Sequence, residues 1–112
     1  MVKKTTKVSR YVHFVTDSST LRVRDKHFLN RLRTHVTGAA LILCQGFTDN
    51  RGSAAYGMRL GMERAKAACA FLSRGTGIDT RVVSYGEARP IASNVTAHGR
   101  WLNRRAQVIL EY

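Results

Sequence analysis

An α+β two-layer sandwich of order β-α-β-α-β-(α)-β, with a mixed four-stranded sheet and helices on one face, is the fold this sequence predicts, and three patterns carry it. Near both ends of the chain apolar residues alternate with polar or mixed ones, the period of a half-buried strand. In the middle, Ala39 to Gly46 is a short apolar run between glycines, the pattern of a buried strand. Soon after it, Met58, Met62, Ala65, Cys69 and Leu72 recur at spacings of 4, 3, 4 and 3, the core stripe of a long helix.

In chain order, residues 1–8 are polar and basic and are expected to form a flexible arm, with 9–112 as the folded domain. Ser9 to Val15 predicts the first strand. Asp17-Ser18-Ser19-Thr20 is rich in N-cap residues and is expected to start a helix. Leu21, Phe28, Leu29, Leu32 and Val36 keep helical spacing along it, and Gly38 is its expected stop. The polar loop Phe47–Gly52 follows the buried strand, and Ser53 is placed to cap the long helix, which runs to about Arg74 and ends at Gly75-Thr76-Gly77. Thr80–Tyr85 predicts a third strand, Gly86–Asn94 a loop with the only proline, Thr96–Asn103 a short helix, and Arg104–Tyr112 the last strand.

A length of 112 residues suits one domain, and 44% hydrophobic content is normal for a globular chain. No apolar run approaches the roughly 18–20 residues needed to span a bilayer. The basic start leads into no apolar segment, so no signal peptide is read in it. The charge is the unusual feature: 19 Lys+Arg, fourteen of them Arg, against 7 Asp+Glu give +12. Spread from Arg10 to Arg105, it predicts attraction to polyanions: nucleic acid, anionic lipid or an anionic wall polymer. Cys44 and Cys69 each lie in an apolar segment and are read as buried hydrophobes rather than a disulfide, whose geometry sequence does not establish. His13, His27, His35 and His98 have no metal-ligand spacing and are expected in structural or surface roles, as is Trp101 in packing. No metal, cofactor or catalytic constellation is expected.

Four segments stand in a telling order: Gly46-Phe47-Thr48-Asp49 with Gly52-Ser53; Tyr56 through Leu60 to Arg64-Ala65; Tyr85-Gly86-Glu87 with Pro90-Ile91-Ala92 and Asn94; and Gly99-Arg100 with Asn103-Arg104-Arg105. Together they resemble the OmpA-like peptidoglycan-binding domain family, found also in peptidoglycan-associated lipoproteins and flagellar stator proteins. The resemblance covers about residues 12 to 112. It implies a non-catalytic module that holds the diaminopimelate of the peptidoglycan stem peptide and anchors an envelope protein to the wall in the periplasm. Diaminopimelate ends in a zwitterion, so a site needs an anion and a cation held at fixed separation. By the resemblance, Asp49 accepts the ammonium and Arg64 grips the carboxylate with two parallel hydrogen bonds. Arg104 also reaches the ligand, Asp17 supplies a looser polar contact, and Thr48 and the backbone at Tyr56 and Gly57 shape the pocket. Of Arg104 and Arg105, alternation along a strand lets one face the pocket, leaving the other solvated or salt-bridged.

The departures from the family pattern are Phe47 for its histidine, Gly57 for its asparagine and Gly61 for its serine. Two glycines within a helix each cost about 1 kcal/mol relative to alanine; close backbone approach is one compensation and drift the other reading. Asp49 alone also fits a loop residue capping the next helix. The alternatives to wall anchoring are a diverged domain with an assembly role in a secretion or conjugation machine, and a basic nucleic-acid-binding domain. The second is disfavoured by the absence of a recognition helix, zinc frame or RNP aromatic motif.

Overall fold

The computed structural model describes residues 7–112. Its elements are β1 (Lys7–His13), α1 (Val23–Val36), β2 (Leu41–Phe47), α2 (Ala54–Ser73), β3 (Asp79–Gly86), α3 (Ala97–Asn103) and β4 (Arg105–Glu111). The predicted order holds, with a third helix in the bracketed position. Residues 1–6 of the expected arm lie outside the described residues; Lys7 and Val8 already belong to β1, where they pair with Glu111 and Leu110.

The sheet is four-stranded and mixed, in the order β1-β4-β2-β3. β4 runs antiparallel to both β1 and β2, while β2 and β3 are parallel across the α2 crossover. α1 and α2 cover one face. Ile42 and Cys44 of β2 and Ala106, Val108 and Leu110 of β4 meet Leu29, Leu32 and Val36 of α1 and Ala65, Ala68 and Leu72 of α2 there, all buried. Each large aliphatic side chain so buried is worth roughly 1.5–3 kcal/mol, which is why the alternation and the helical stripes were readable as a sandwich.

Three expectations fail locally. α1 does not start at the Asp17–Thr20 cap candidates: its N-cap is Arg22, whose backbone N–H donates to the Asp25 carboxylate (3.1 Å) from inside the first turn. Asp17 instead adopts a left-handed turn (φ +55°) and faces α2. The α2 stripe is rotated from the one the methionines suggested. Ala65, Cys69 and Leu72 of the expected stripe are buried, but Met58 is 48% exposed and Met62 half-buried, and the first turns bury Gly57, Leu60, Gly61 and Arg64 instead. The cause is close backbone approach, one of the two readings left open for the helix glycines. A Cβ on Gly61 would stand 3.0 Å from the Gly46 carbonyl oxygen, and one on Gly46 would land on the Gly61 carbonyl. Helix and strand therefore touch main chain to main chain. Finally, Cys44 and Cys69 are joined as a disulfide, with Cα atoms 5.9 Å apart. The helix and strand that carry them are already in contact, so the bond needs no rearrangement. In the chain-entropy account, its 25-residue separation contributes about 3.5 kcal/mol.

The turns behave as read. Gly38 (φ +88°) and Gly75 (φ +74°) end α1 and α2, and Ser53 caps α2 by accepting from the Tyr56 N–H (3.1 Å). At the end of β2 the pairing slips by a residue, from Gly46–Ser84 to Phe47–Gly86. Bulges of this kind redirect a strand as it leaves a sheet, and this one delivers the chain to the next loop.

Candidate functional site

The loop after β2 carries Asp49 to a place where three other segments converge. Thr48 is held by its N–H donating to the Gly86 carbonyl (2.9 Å), just past the bulge. Asp49 is 5% exposed and does not cap α2, a duty taken by Ser53. Its Oδ1 accepts from the Arg51 backbone N–H (3.0 Å), and its Oδ2 accepts from Arg51 Nη2 (2.9 Å) and Arg104 Nη1 (3.2 Å). Burial alone would raise this carboxyl; the hydrogen bonds from Arg51 and Arg104 outweigh it and hold the group below the usual carboxylate range.

Arg64 lies in the buried stripe of α2 and is fully enclosed. Its guanidinium donates to three backbone carbonyls: Nε to Ser18 (2.9 Å), Nη1 to Phe47 (3.0 Å) and Nη2 to Val15 (3.1 Å). These hold the turn after β1 and the end of β2 together, which is why the Asp17–Thr20 stretch is not helical. A guanidinium has five N–H groups, so two remain beyond this cage. Burial, and then the charge of Arg104, push its pKa down to about 10, leaving it protonated at neutral pH. Arg104, the C-cap of α3 just before β4, donates from Nε to the Phe14 carbonyl (2.9 Å) while its Nη1 reaches Asp49.

These groups line a recess of about 20 Å³, together with Asp17, Thr48, Arg51 and Tyr56. That is little more than the room one water needs. Three arginines against two aspartates give its wall a net single positive charge. Tyr56 donates its hydroxyl to Asp17 (2.7 Å), and that hydrogen bond raises the phenol's pKa. The Thr48 hydroxyl is buried without a hydrogen-bond partner among the described residues.

Of the residues singled out from the sequence, Asp17, Thr48, Asp49, Arg64 and Arg104 meet at this one recess. Gly57 does not line it. It sits behind, where a Cβ would come 3.0 Å from Thr48 Oγ1. Of the Arg104-Arg105 pair one faces the recess, as alternation required. Arg105, however, is neither solvated nor salt-bridged: it is 3% exposed, with its guanidinium 3.7 Å from the centre of the Phe47 ring.

Two functional neighbours escaped the sequence reading. Arg51 spans the mouth of the recess, bonded to Asp49 and, through Nη2, to Thr16 (2.9 Å). Its only sequence signal is its place two residues after Asp49. Asn103 is fully buried, accepting from the Ile91 and Ala92 N–H groups (2.8 and 3.1 Å) and donating to the Ala92 carbonyl, and so it fastens the loop before α3.

Comparison with known proteins agrees with this architecture. The OmpA family pattern matches residues 13–110. The peptidoglycan-binding protein ArfA of Mycobacterium tuberculosis is 34% identical over 103 residues, covering 88% of this chain and 32% of that protein. Outer membrane protein A of Bordetella avium is 37% identical over 100 residues, covering 85% and 51%. The chain thus spans between a third and a half of the length of these relatives. Among solved structures, the peptidoglycan-associated lipoprotein of Burkholderia pseudomallei superposes with a TM-score of 0.80 at 29% identity, covering 90% of this chain and 89% of that one. By its fold, its site segments and these matches, the chain belongs to the OmpA family.

Proposed function

We propose that this domain is a non-catalytic peptidoglycan-binding module that anchors an envelope protein to the wall, and that the Asp49 recess takes the diaminopimelate end of the stem peptide. The observation that carries the reading is a buried, ionised carboxylate beside a buried arginine with unspent N–H groups. An ammonium replaces Arg51 on Asp49, and the adjoining carboxylate takes the free N–H groups of Arg64 and of Arg104. The unpartnered Thr48 hydroxyl serves either end of the zwitterion. Relatives named for peptidoglycan binding support the ligand class. The Cys44–Cys69 disulfide supports an oxidising compartment, and hence the periplasm.

Two charge-assisted contacts of about 1.5–3 kcal/mol each, less ordering costs, correspond to a Kd of about 1 mM. Retention then comes from the many stems a wall presents. The test is a titration of diaminopimelate-containing stem peptide followed by amide NMR shifts. Saturable shifts centred on Asp49, Arg64 and Arg104 are expected, and Asp49→Asn should abolish them while leaving the fold's spectrum intact. Arg51→Ala, which unblocks the carboxylate, should bind about threefold to tenfold tighter. No shifts at 10 mM ligand (about tenfold above that Kd) in either wild type or Arg51→Ala would overturn the proposal.

A further inference from the structure

A second concavity lies away from the recess, between α1 and β1, and shares no lining residue with it. β1 is an edge strand. Beside it runs a groove of about 500 Å³ lined by Tyr11, His13, Arg22, Arg24, His27 and Arg31, with Trp101 at its end. Past Phe28 and Arg31 it continues into a hollow of about 110 Å³ that adds Arg10 and His35. Four arginines therefore face one trough. The sole carboxylate in either lining, Asp25, is buried and already bound to Arg22 Nε at 3.1 Å. Arg24, His27, Arg31 and His35 are exposed and follow one another at spacings of 3, 4 and 4 along one face of α1. Arg24 and Arg31, two turns apart, are separated by about 10.5 Å along the helix axis. Arg59 on α2 and Arg81 on β3 are exposed as well and line neither hollow.

We propose that this groove binds a linear phosphodiester polymer, a chain of polyol or sugar phosphates without bases. The charge and shape of the groove carry it, independently of the stem-peptide recess. Guanidinium forks match phosphate oxygens, and a trough lined by one sign of charge holds a linear polyanion along its length. A polymer of bases fits less well. Single-stranded nucleic-acid sites offer open aromatic faces on which successive bases stack. Here Trp101 already stacks on His13 (4.2 Å between centroids) and lies 5.9 Å from the His98 ring, while Phe28 is partly buried. Among the tyrosine, tryptophan and phenylalanine rings of the lining, Tyr11 is the one exposed.

The experiment titrates poly(glycerol phosphate) at pH 7 and 150 mM salt into wild type, Arg24→Ser/Arg31→Ser and the charge-matched Arg59→Ser/Arg81→Ser, followed by calorimetry and amide shifts. All four positions are exposed, so both doubles keep the fold. Expected are shifts along α1 and β1, a loss of about tenfold in affinity for the first double, and less than about twofold for the second. Equal losses in the two doubles, or shifts scattered over the surface, would reduce the effect to net charge and overturn the proposal. Tighter binding of oligo(dT), or of phosphatidylglycerol vesicles, through the same residues would overturn the polymer assignment. Stem-peptide binding measured on Arg24→Ser/Arg31→Ser, and polymer binding on Asp49→Asn, should both equal wild type, so that failure at one site is told apart from failure at the other.

Discussion

Phe47 is held between two buried arginines, and the two regions they occupy differ instructively. On the helix side, Arg64 takes the Phe47 carbonyl and two others and lines the recess that holds Asp49. On the opposite side of the strand, Arg105 sits over the Phe47 ring, which in turn stacks on Tyr85 (5.4 Å), itself covered by Arg89. Burial lowers the pKa of both guanidinium groups. Yet Arg64 is surrounded by acceptors and has an anion nearby, whereas Arg105 donates to the Asn103 and Arg89 carbonyls and leaves its Nε without a partner among the described residues. One arginine gathers three carbonyls beside an anion and an opening; the other acts chiefly as a partly desolvated cation over a ring. A buried charge becomes a site where it is accompanied by an opposite charge and an opening, not where it is merely buried.

The largest test of this contrast is the same substitution at both positions. Arg64→Met should cost about 4 kcal/mol in urea denaturation, because three carbonyls, the buried one of Phe47 among them, lose a charged donor. Arg105→Met should cost less, about 2 kcal/mol, since the methionine chain keeps the Phe47 contact, an orphaned donor is removed, and two carbonyls rather than three lose theirs. Equal costs would break the comparison.

A smaller effect concerns acid. Asp49 titrates below its ordinary value of 3.8 in the folded state, so its contribution is complete above that value and is lost as pH falls through the folded pKa. Asp49→Asn should therefore flatten the stability profile below about pH 4, read by thermal melts across pH. The smallest effect is spectroscopic. His13 is pulled below its ordinary 6.5 first by burial and next by the charge of Arg105. Its imidazole titration, followed by NMR, should move up in Arg105→Met and stay in place in Arg64→Met.

Much of this was legible because it rests on periodicity. Val12 and Phe14, the run around Ile42, and Val108 with Leu110 announced their strands, and four segments in register announced the family and brought Thr48, Asp49, Arg64 and Arg104 to one recess, which Asp17 joins from outside them. What escaped depended on contacts between distant segments. Asp17 to Thr20 have the chemistry of a helix cap, but Arg64 claims the Ser18 carbonyl and Tyr56 claims Asp17. Met58 has core character, but two glycines turn the helix so that it faces solvent. Arg51 is one arginine among fourteen until the loop folds it over Asp49. The cysteines lie 25 residues apart with nothing local to pair them; only the contact of helix and strand does so.

That contact between Gly46 and Gly61 has a further consequence. The loop bearing Asp49 leaves from one side of it and Arg64 stands one turn beyond the other. Their separation is accordingly gauged by peptide groups, whose dimensions do not vary, rather than by the volumes of Leu72, Val108 or any other core side chain. In this chain those apolar residues can be exchanged, with gain or loss of stability, while the distance across the recess stays as the two glycines set it; Gly61→Ser would change it.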